Sequence, residues 1–283
     1  MNKRLIVIAI LLAIDVISVA GQNGNSRNRQ LYNSYKKDDR SMENFKITVI
    51  YDNNTLSDKL KPEWGFACLV EGAEKNILFD TGGDGAVLMS NISELGINPG
   101  DIDLVVLSHA HWDHVGGLAD FLKKNGDVTV YPLKSFSGQI KSITDKAGVR
   151  IIDVSGPMEI CAGVFSTGTM GTDIEEQALI LKTDSGGIVI TGCAHPGVVE
   201  MTQKAKEIIG DDILLVMGGF HLHNHSDSAI KSIIKEFHEM GVKYAAPCHC
   251  SGENARKLFK KDYQDNFIDI GAGKIILPEE LRK

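Results

Sequence analysis

The chain has 283 residues, 43% of them hydrophobic and 24% charged, with a formal net charge of −7. That length and apolar content suffice for one large domain with a full core. The acidic balance and the lack of a basic stripe exclude nucleic acid as the main partner, because phosphate contacts need clustered Lys and Arg; a small-molecule substrate is expected instead.

Met1, Asn2, Lys3 and Arg4 make a short basic start. An apolar run follows from Leu5 to Ala20, interrupted at Asp15, and it ends on Ser18, Val19 and Ala20. Small residues at 18 and 20 suit a signal peptidase, so residues 1–20 read as a secretory signal peptide. The run is too short and too interrupted for a comfortable membrane span. The mature protein is therefore expected to be exported, periplasmic or secreted, with no membrane contact. Residues 21–44 are rich in Asn, Ser, Arg, Lys and Asp, bury almost nothing, and read as a disordered linker. The folded domain is expected over 45–283.

Strand-like runs come first at 46–51, 66–70 and 76–79, and Asp80 follows the third directly. Gly82, Gly83, Asp84 and Gly85 lack the lysine of a phosphate loop and read as a strand-to-helix turn. Leu88, Ile92 and Leu95 repeat at helical spacing, with Gly96 as the stop. A run at 104–107 leads into Ser108, His109, Ala110, His111, Trp112, Asp113 and His114. Runs at 128–131, 178–182 and 188–191 follow, the last leading to Cys193 and His195. Val198, Thr202, Ala205 and Ile209 mark a helix that His195 should start. A run at 213–217 precedes Gly218, Gly219 and His221; His223 and His225 beyond it read as exposed loop residues. Ile230, Ile233, Ile234, Phe237 and Met240 form an apolar stripe closed by Gly241. The run at 242–246 ends near His249, with Ser251 expected to start a closing helix. Solid Val/Ile/Leu blocks mark strands covered on both faces. Interspersed with helices, they predict an α/β fold of two sheets packed face to face with helices outside.

Three imidazoles and one carboxylate within six positions, His109, His111, Asp113 and His114, are ligands for zinc and similar divalent ions. His109 and His111 are two apart, so an extended loop can turn both to one ion. Asp113 and His114 are adjacent and diverge, which suits a second ion. Asp80, His195, His221 and His249 also follow strand ends, which can converge on one edge where ligands bind. Cys193 reads either as a thiolate ligand or as a small buried thiol. The chain has five cysteines, so at least one is unpaired, and no dense disulfide framework is apparent. Cys248 and Cys250 flank His249, leaving metal, redox and structural roles open.

The H-x-H-x-D-H stretch resembles the signature of the metallo-β-lactamase fold. The segments around Asp80, Cys193–His195, Gly218–His221 and Pro247–Gly252 resemble one branch of it, which includes an archaeal dihydropterin–ribofuranosylaminobenzene phosphate synthase. The resemblance implies a four-layer αββα sandwich. It implies two divalent metal ions, zinc first with manganese or iron as alternatives, held by His109, His111, Asp113, His114, His195, His221 and His249. It gives Asp80 an orienting role behind a metal-bound histidine, and it sets Cys193 where much of the superfamily has a bridging Asp. The superfamily usually shows a further histidine before the 188–191 strand. Here that region reads Asp173, Ile174, Glu175, Glu176 and Gln177; Glu176 could fill the place, and His195 is the better candidate. The implied activity is hydrolysis of an ester, phosphoester or lactone by metal-activated water, with Asp113 and His221 catalytic. A pterin-phosphate synthase-like transferase, an iron oxidoreductase and a non-catalytic metal- or ligand-binding module are the alternatives. The sequence leaves the oligomeric state open.

Overall fold

The apolar blocks pair into two sheets. The structure, a computed structural model, describes residue 42 and residues 44–281. The predicted signal peptide lies outside the described residues, as does the linker apart from Met42 and Asn44. Met42 is buried, and its N–H donates to the Lys182 carbonyl at 2.9 Å.

The first sheet takes β1 (Lys46–Tyr51), β2 (Ala67–Glu71), β3 (Ile77–Phe79), β4 (Leu104–Val106), β5 (Thr129–Tyr131) and β6 (Arg150–Ile151) in chain order. The second takes β7 (Met158–Cys161), β8 (Val164–Ser166), β9 (Leu179–Thr183), β10 (Gly186–Thr191), β11 (Ile213–Gly219) and β12 (Tyr244–Cys248), also in order. A last short strand, β13 (Ile275–Ile276), returns to pair with β1. In each sheet one half is antiparallel and the other parallel. β3, β4, β5 and β6 run parallel in the first, and β10, β11 and β12 in the second. Parallel strands end on a common edge, and those ends carry the candidate residues.

Alternation along the strands sorts side chains between layers. Ile188 and Ile190 of β10, Leu215 and Met217 of β11, and Leu179 and Leu181 of β9 join the core shared with the first sheet. Val189, Val216 and Ile180 are equally buried but face the other way. Helices cover both outer faces. α1 (Gly85–Glu94) packs on β1 and, with α2 (Trp112–Val115), α3 (Leu118–Leu122) and α4 (Ser137–Ala147), belongs to the first sheet's side. α5 (Val198–Ile209), α6 (Asp227–Glu239) and α7 (Glu253–Tyr263) pack on the second, against β10, one another and β12. The result is the expected αββα layering.

The sequence reading misses β6, β7, β8, β13, α2, α3 and α4. β6 and β13 have two residues each and exist only through their partners. α4 buries only Ile140 and Thr144, so it shows no apolar stripe. α1 matches its signals: Asp84 caps it by accepting from the Val87 N–H at 2.9 Å, and Gly96 follows it at φ +67°. Among the described residues no helix is long and apolar enough to cross a membrane.

Candidate metal centre

β3 ends at Phe79, and Asp80 turns out of the sheet at φ +57°. Its carboxylate is buried. One oxygen accepts from the Ser108 N–H at 2.7 Å; the other takes the Ser108 hydroxyl and His114 Nδ1, each at 2.7 Å. Asp80 thereby fixes the loop after β4 and the ring of His114 together. An Nδ1–H donated to a carboxylate leaves Nε2 with its lone pair free. That Nε2 lies 3.2 Å from Cys193 Sγ and 3.7 Å from Asp113 Oδ2.

The same arrangement recurs at three more rings. His109 Nδ1 is held by Ser108 Oγ at 2.9 Å, and its Nε2 is buried with no hydrogen-bond partner. His195 Nδ1 meets Glu176 Oε2 at 2.9 Å. His249 Nδ1 meets Asn53 Oδ1 at 3.0 Å; its Nε2 is buried without a hydrogen bond, 3.3 Å from Asp113 Oδ2. Four imidazoles are thus tied at Nδ1 by oxygen, and each leaves Nε2 to the cluster. Burial, then the field of a neighbouring histidine, pushes His109 and His114 down to about 3, so both rings are neutral at neutral pH, the form that binds metal. Burial works against charge at Asp113 too. The His249 ring 3.3 Å away and the field of His114 nevertheless hold its carboxyl below the ordinary range.

The donors fall into three groups whose ligand atoms lie within 4.8 Å of one another. One is His109, Cys193 and His195. The second is Asp113, His114, Cys193 and His249. The third is Cys193, His221 and Cys250. Cys193 belongs to all three. Buried imidazole nitrogens without partners, facing sulfur and carboxylate, fit a divalent ion and would be costly otherwise. His111 joins none of the groups. It is half-buried at the rim, its ring centroid 4.6 Å from that of His109 and 4.8 Å from that of His195. His223 and His225 are exposed, as the sequence suggests. His195 lies ahead of α5, whose N-cap is Gly197, rather than starting it. Ser251 does not open the closing helix either. It sits in a short turn, donates to the Cys248 carbonyl at 2.6 Å, and accepts from the Phe220 N–H at 3.0 Å, so it ties β11 to β12.

Glu176 belongs to none of these groups. It is fully buried and anchors the loop that carries Cys193 and His195. Oε1 accepts from the N–H groups of Gly192, Cys193 and Ala194, and Oε2 from the His195 N–H and ring. Burial opposes its charge, but His109, His195 and these N–H groups hold the carboxyl below its ordinary range. Asp52 plays a similar part beyond β1, accepting from the His249 N–H at 3.0 Å. Asp52, Asn53 and Ser108 escape the sequence reading, although polar residues directly after strands β1 and β4 are a usable signal. Non-glycine residues at positive φ are Asp80, Ala194, His221, His249 and Gln264 among the described residues. All but the last are at this centre, so backbone strain is concentrated where the donors are aimed. All five cysteines are unpaired.

Both tryptophans are exposed beside the cluster, Trp64 by 43% and Trp112 by 62%. The Trp64 ring is centred 5.1 Å from that of His249. Trp112 lies over Gly83, where any Cβ would come within 2.4 Å of the indole.

The chain matches the family model for the metallo-beta-lactamase superfamily over residues 65–230. It is 30% identical to the 7,8-dihydropterin-6-methyl-4-(beta-D-ribofuranosyl)-aminobenzene-5'-phosphate synthase of Methanocaldococcus jannaschii, covering 83% of this chain and 97% of that one. Among solved structures it is similar to Tm1679, described as a metal-dependent hydrolase of the beta-lactamase superfamily, with 30% identity, a TM-score of 0.68, and 82% and 98% of the two chains covered. YhfI from Bacillus subtilis shares the fold at 17% identity and a TM-score of 0.63, covering 83% of this chain and 100% of that one.

Proposed function

The chain belongs to the metallo-beta-lactamase superfamily, and we propose that it is an exported metal-dependent hydrolase acting on an ester, phosphoester or lactone-type small molecule. The observation that carries this reading is the set of four imidazoles with Nδ1 tied by Ser108, Asp80, Glu176 and Asn53, leaving each Nε2 to the cluster. His109, His195 and Cys193 would hold one divalent ion, with His111 closing from the rim. Asp113, His114, His249 and Cys193 would hold a second, and zinc suits the nitrogen and sulfur donors best. When bound, such ions lower the pKa of water to near neutral and polarise an oxygen under attack.

The chain's own residues do the rest. Asp113 keeps its carboxylate ionised beside His249 and His114, where it can accept a hydrogen bond from the attacking water and orient it. His221 is half-buried beside the His195 ring, at a centroid distance of 4.5 Å, and is placed to protonate a leaving group. Trp64 and Trp112 offer flat apolar surface to a ring or acyl part of the substrate. The description of Tm1679 as a hydrolase supports the reaction class. The synthase relative supplies the rival reading.

Metal analysis followed by a panel of phosphodiesters, lactones and thioesters tests the proposal. Zinc-loaded protein is expected to hydrolyse at least one class and to lose that activity on chelation. Fully loaded protein that hydrolyses none, yet joins a dihydropterin to the aminobenzene riboside phosphate, would favour the synthase. Iron with redox turnover would favour an oxidoreductase. Export is tested separately. The basic start, apolar run and Ser18-Val19-Ala20 predict a mature N-terminus near Gly21, and native protein carrying an intact Met1 in a cytosolic fraction would rule that out.

A further inference from the structure

We propose that Cys193, His221 and Cys250 form a third metal position beside the pair, suited to a thiophilic ion such as zinc. This inference rests on the reading that the neighbouring groups hold metal. The ligand atoms of the three residues lie within 4.8 Å of one another. Both thiols are buried, and Cys250 Sγ stands 3.7 Å from the Cys193 carbonyl. His221 is held at φ +53°, and its Nδ1 is buried with no hydrogen-bond partner. The backbone makes room for the second sulfur: a Cβ at Gly219 would fall 2.7 Å from Cys250 Sγ.

Two sulfurs and one imidazole nitrogen are three of the four donors of a tetrahedral zinc site. The group contains no carboxylate, unlike the one with Asp113, so it favours a soft ion over magnesium, calcium or manganese. Binding converts each thiol to a thiolate and releases its proton, and no electron is transferred. Cys193 would then serve as a sulfur shared between this position and its neighbours. With Nδ1 on the ion, the other ring nitrogen of His221 is the one left for substrate.

The test counts ions. Full-length mature protein is loaded with zinc under reducing conditions, freed of excess and measured by mass spectrometry beside Cys250→Ser and Cys250→Ala. Three ions per chain are expected in the parent and two in either variant. In cobalt(II)-loaded protein, the sulfur-to-cobalt charge-transfer band should fall by about half in Cys250→Ser, because one of two thiolate ligands is gone. Should both variants fail to fold, the parent decides alone: an alkylating reagent should modify Cys250 after chelation and spare it in the loaded protein. Two ions in all three proteins would overturn the third position and leave the pair standing. A Cys193–Cys250 disulfide in the loaded protein would overturn it as well. No bound zinc at all would fail this inference and the metal-dependent function together.

Discussion

Asp113→Ala is expected to empty the second metal position and abolish activity while leaving the fold intact. The carboxylate sits 3.3 Å from His249 Nε2 and 3.7 Å from His114 Nε2, so it is the anionic donor of its group. Without it, that group has two rings and the Cys193 sulfur, too few donors for a tight site. The loss of activity should be at least on the order of 10²–10³-fold, the scale seen when one electrostatic group of an active site is removed. The metal-free protein should lose little stability, because the two rings keep Asp80 and Asn53 at Nδ1. Metal content, turnover and thermal unfolding of the metal-free form decide the matter. A variant with a full metal complement would show that Asp113 is not a ligand, and one that fails to fold would show that its role is structural.

Glu176 gives the opposite pattern. Its two oxygens take four backbone N–H groups and the His195 ring. Glu176→Ala leaves those donors buried and unpaired, which should cost on the order of 3–5 kcal/mol. That is a large part of the 5–15 kcal/mol typical of a whole domain. Glu176→Gln is the sharper experiment. The amide oxygen can serve Gly192, Cys193 and Ala194, but the NH₂ must then face His195. It clashes with the His195 N–H and favours the tautomer in which Nδ1 accepts and Nε2 carries the proton. A protonated Nε2 cannot bind metal. We expect a folded protein whose affinity at the first position falls roughly 10–100-fold, the usual cost of losing a residue that orients a ligand. Competition with a chelating dye measures it. Wild-type affinity in the Gln variant would show that Glu176 only braces the loop.

Much of the centre could be read from the chain because the donors lie next to their strands. His109, Asp113 and His114 follow an apolar run directly, and Asp80, His195, His221 and His249 repeat that placement. The β-strands of the core could be read for the same reason: side chains buried on both faces leave solid apolar blocks. The short edge strands β6 and β13 left no such mark, since their stability comes from a neighbour's hydrogen bonds. What only the tertiary structure decided is which donors lie together. His109 and His111, two residues apart, do not fall in one tight group, whereas His249 meets Asn53 across 196 positions. Glu176 resembled a substitute ligand in the sequence, yet the fold turns its carboxylate onto backbone N–H groups. Cys250 gained its place beside Cys193 and His221 only when β11 and β12 paired in parallel and brought their ends together. Local sequence determines which residues can bind a metal and where strands stop. Convergence depends on sheet pairing between distant segments, and spacing along the chain does not encode that directly.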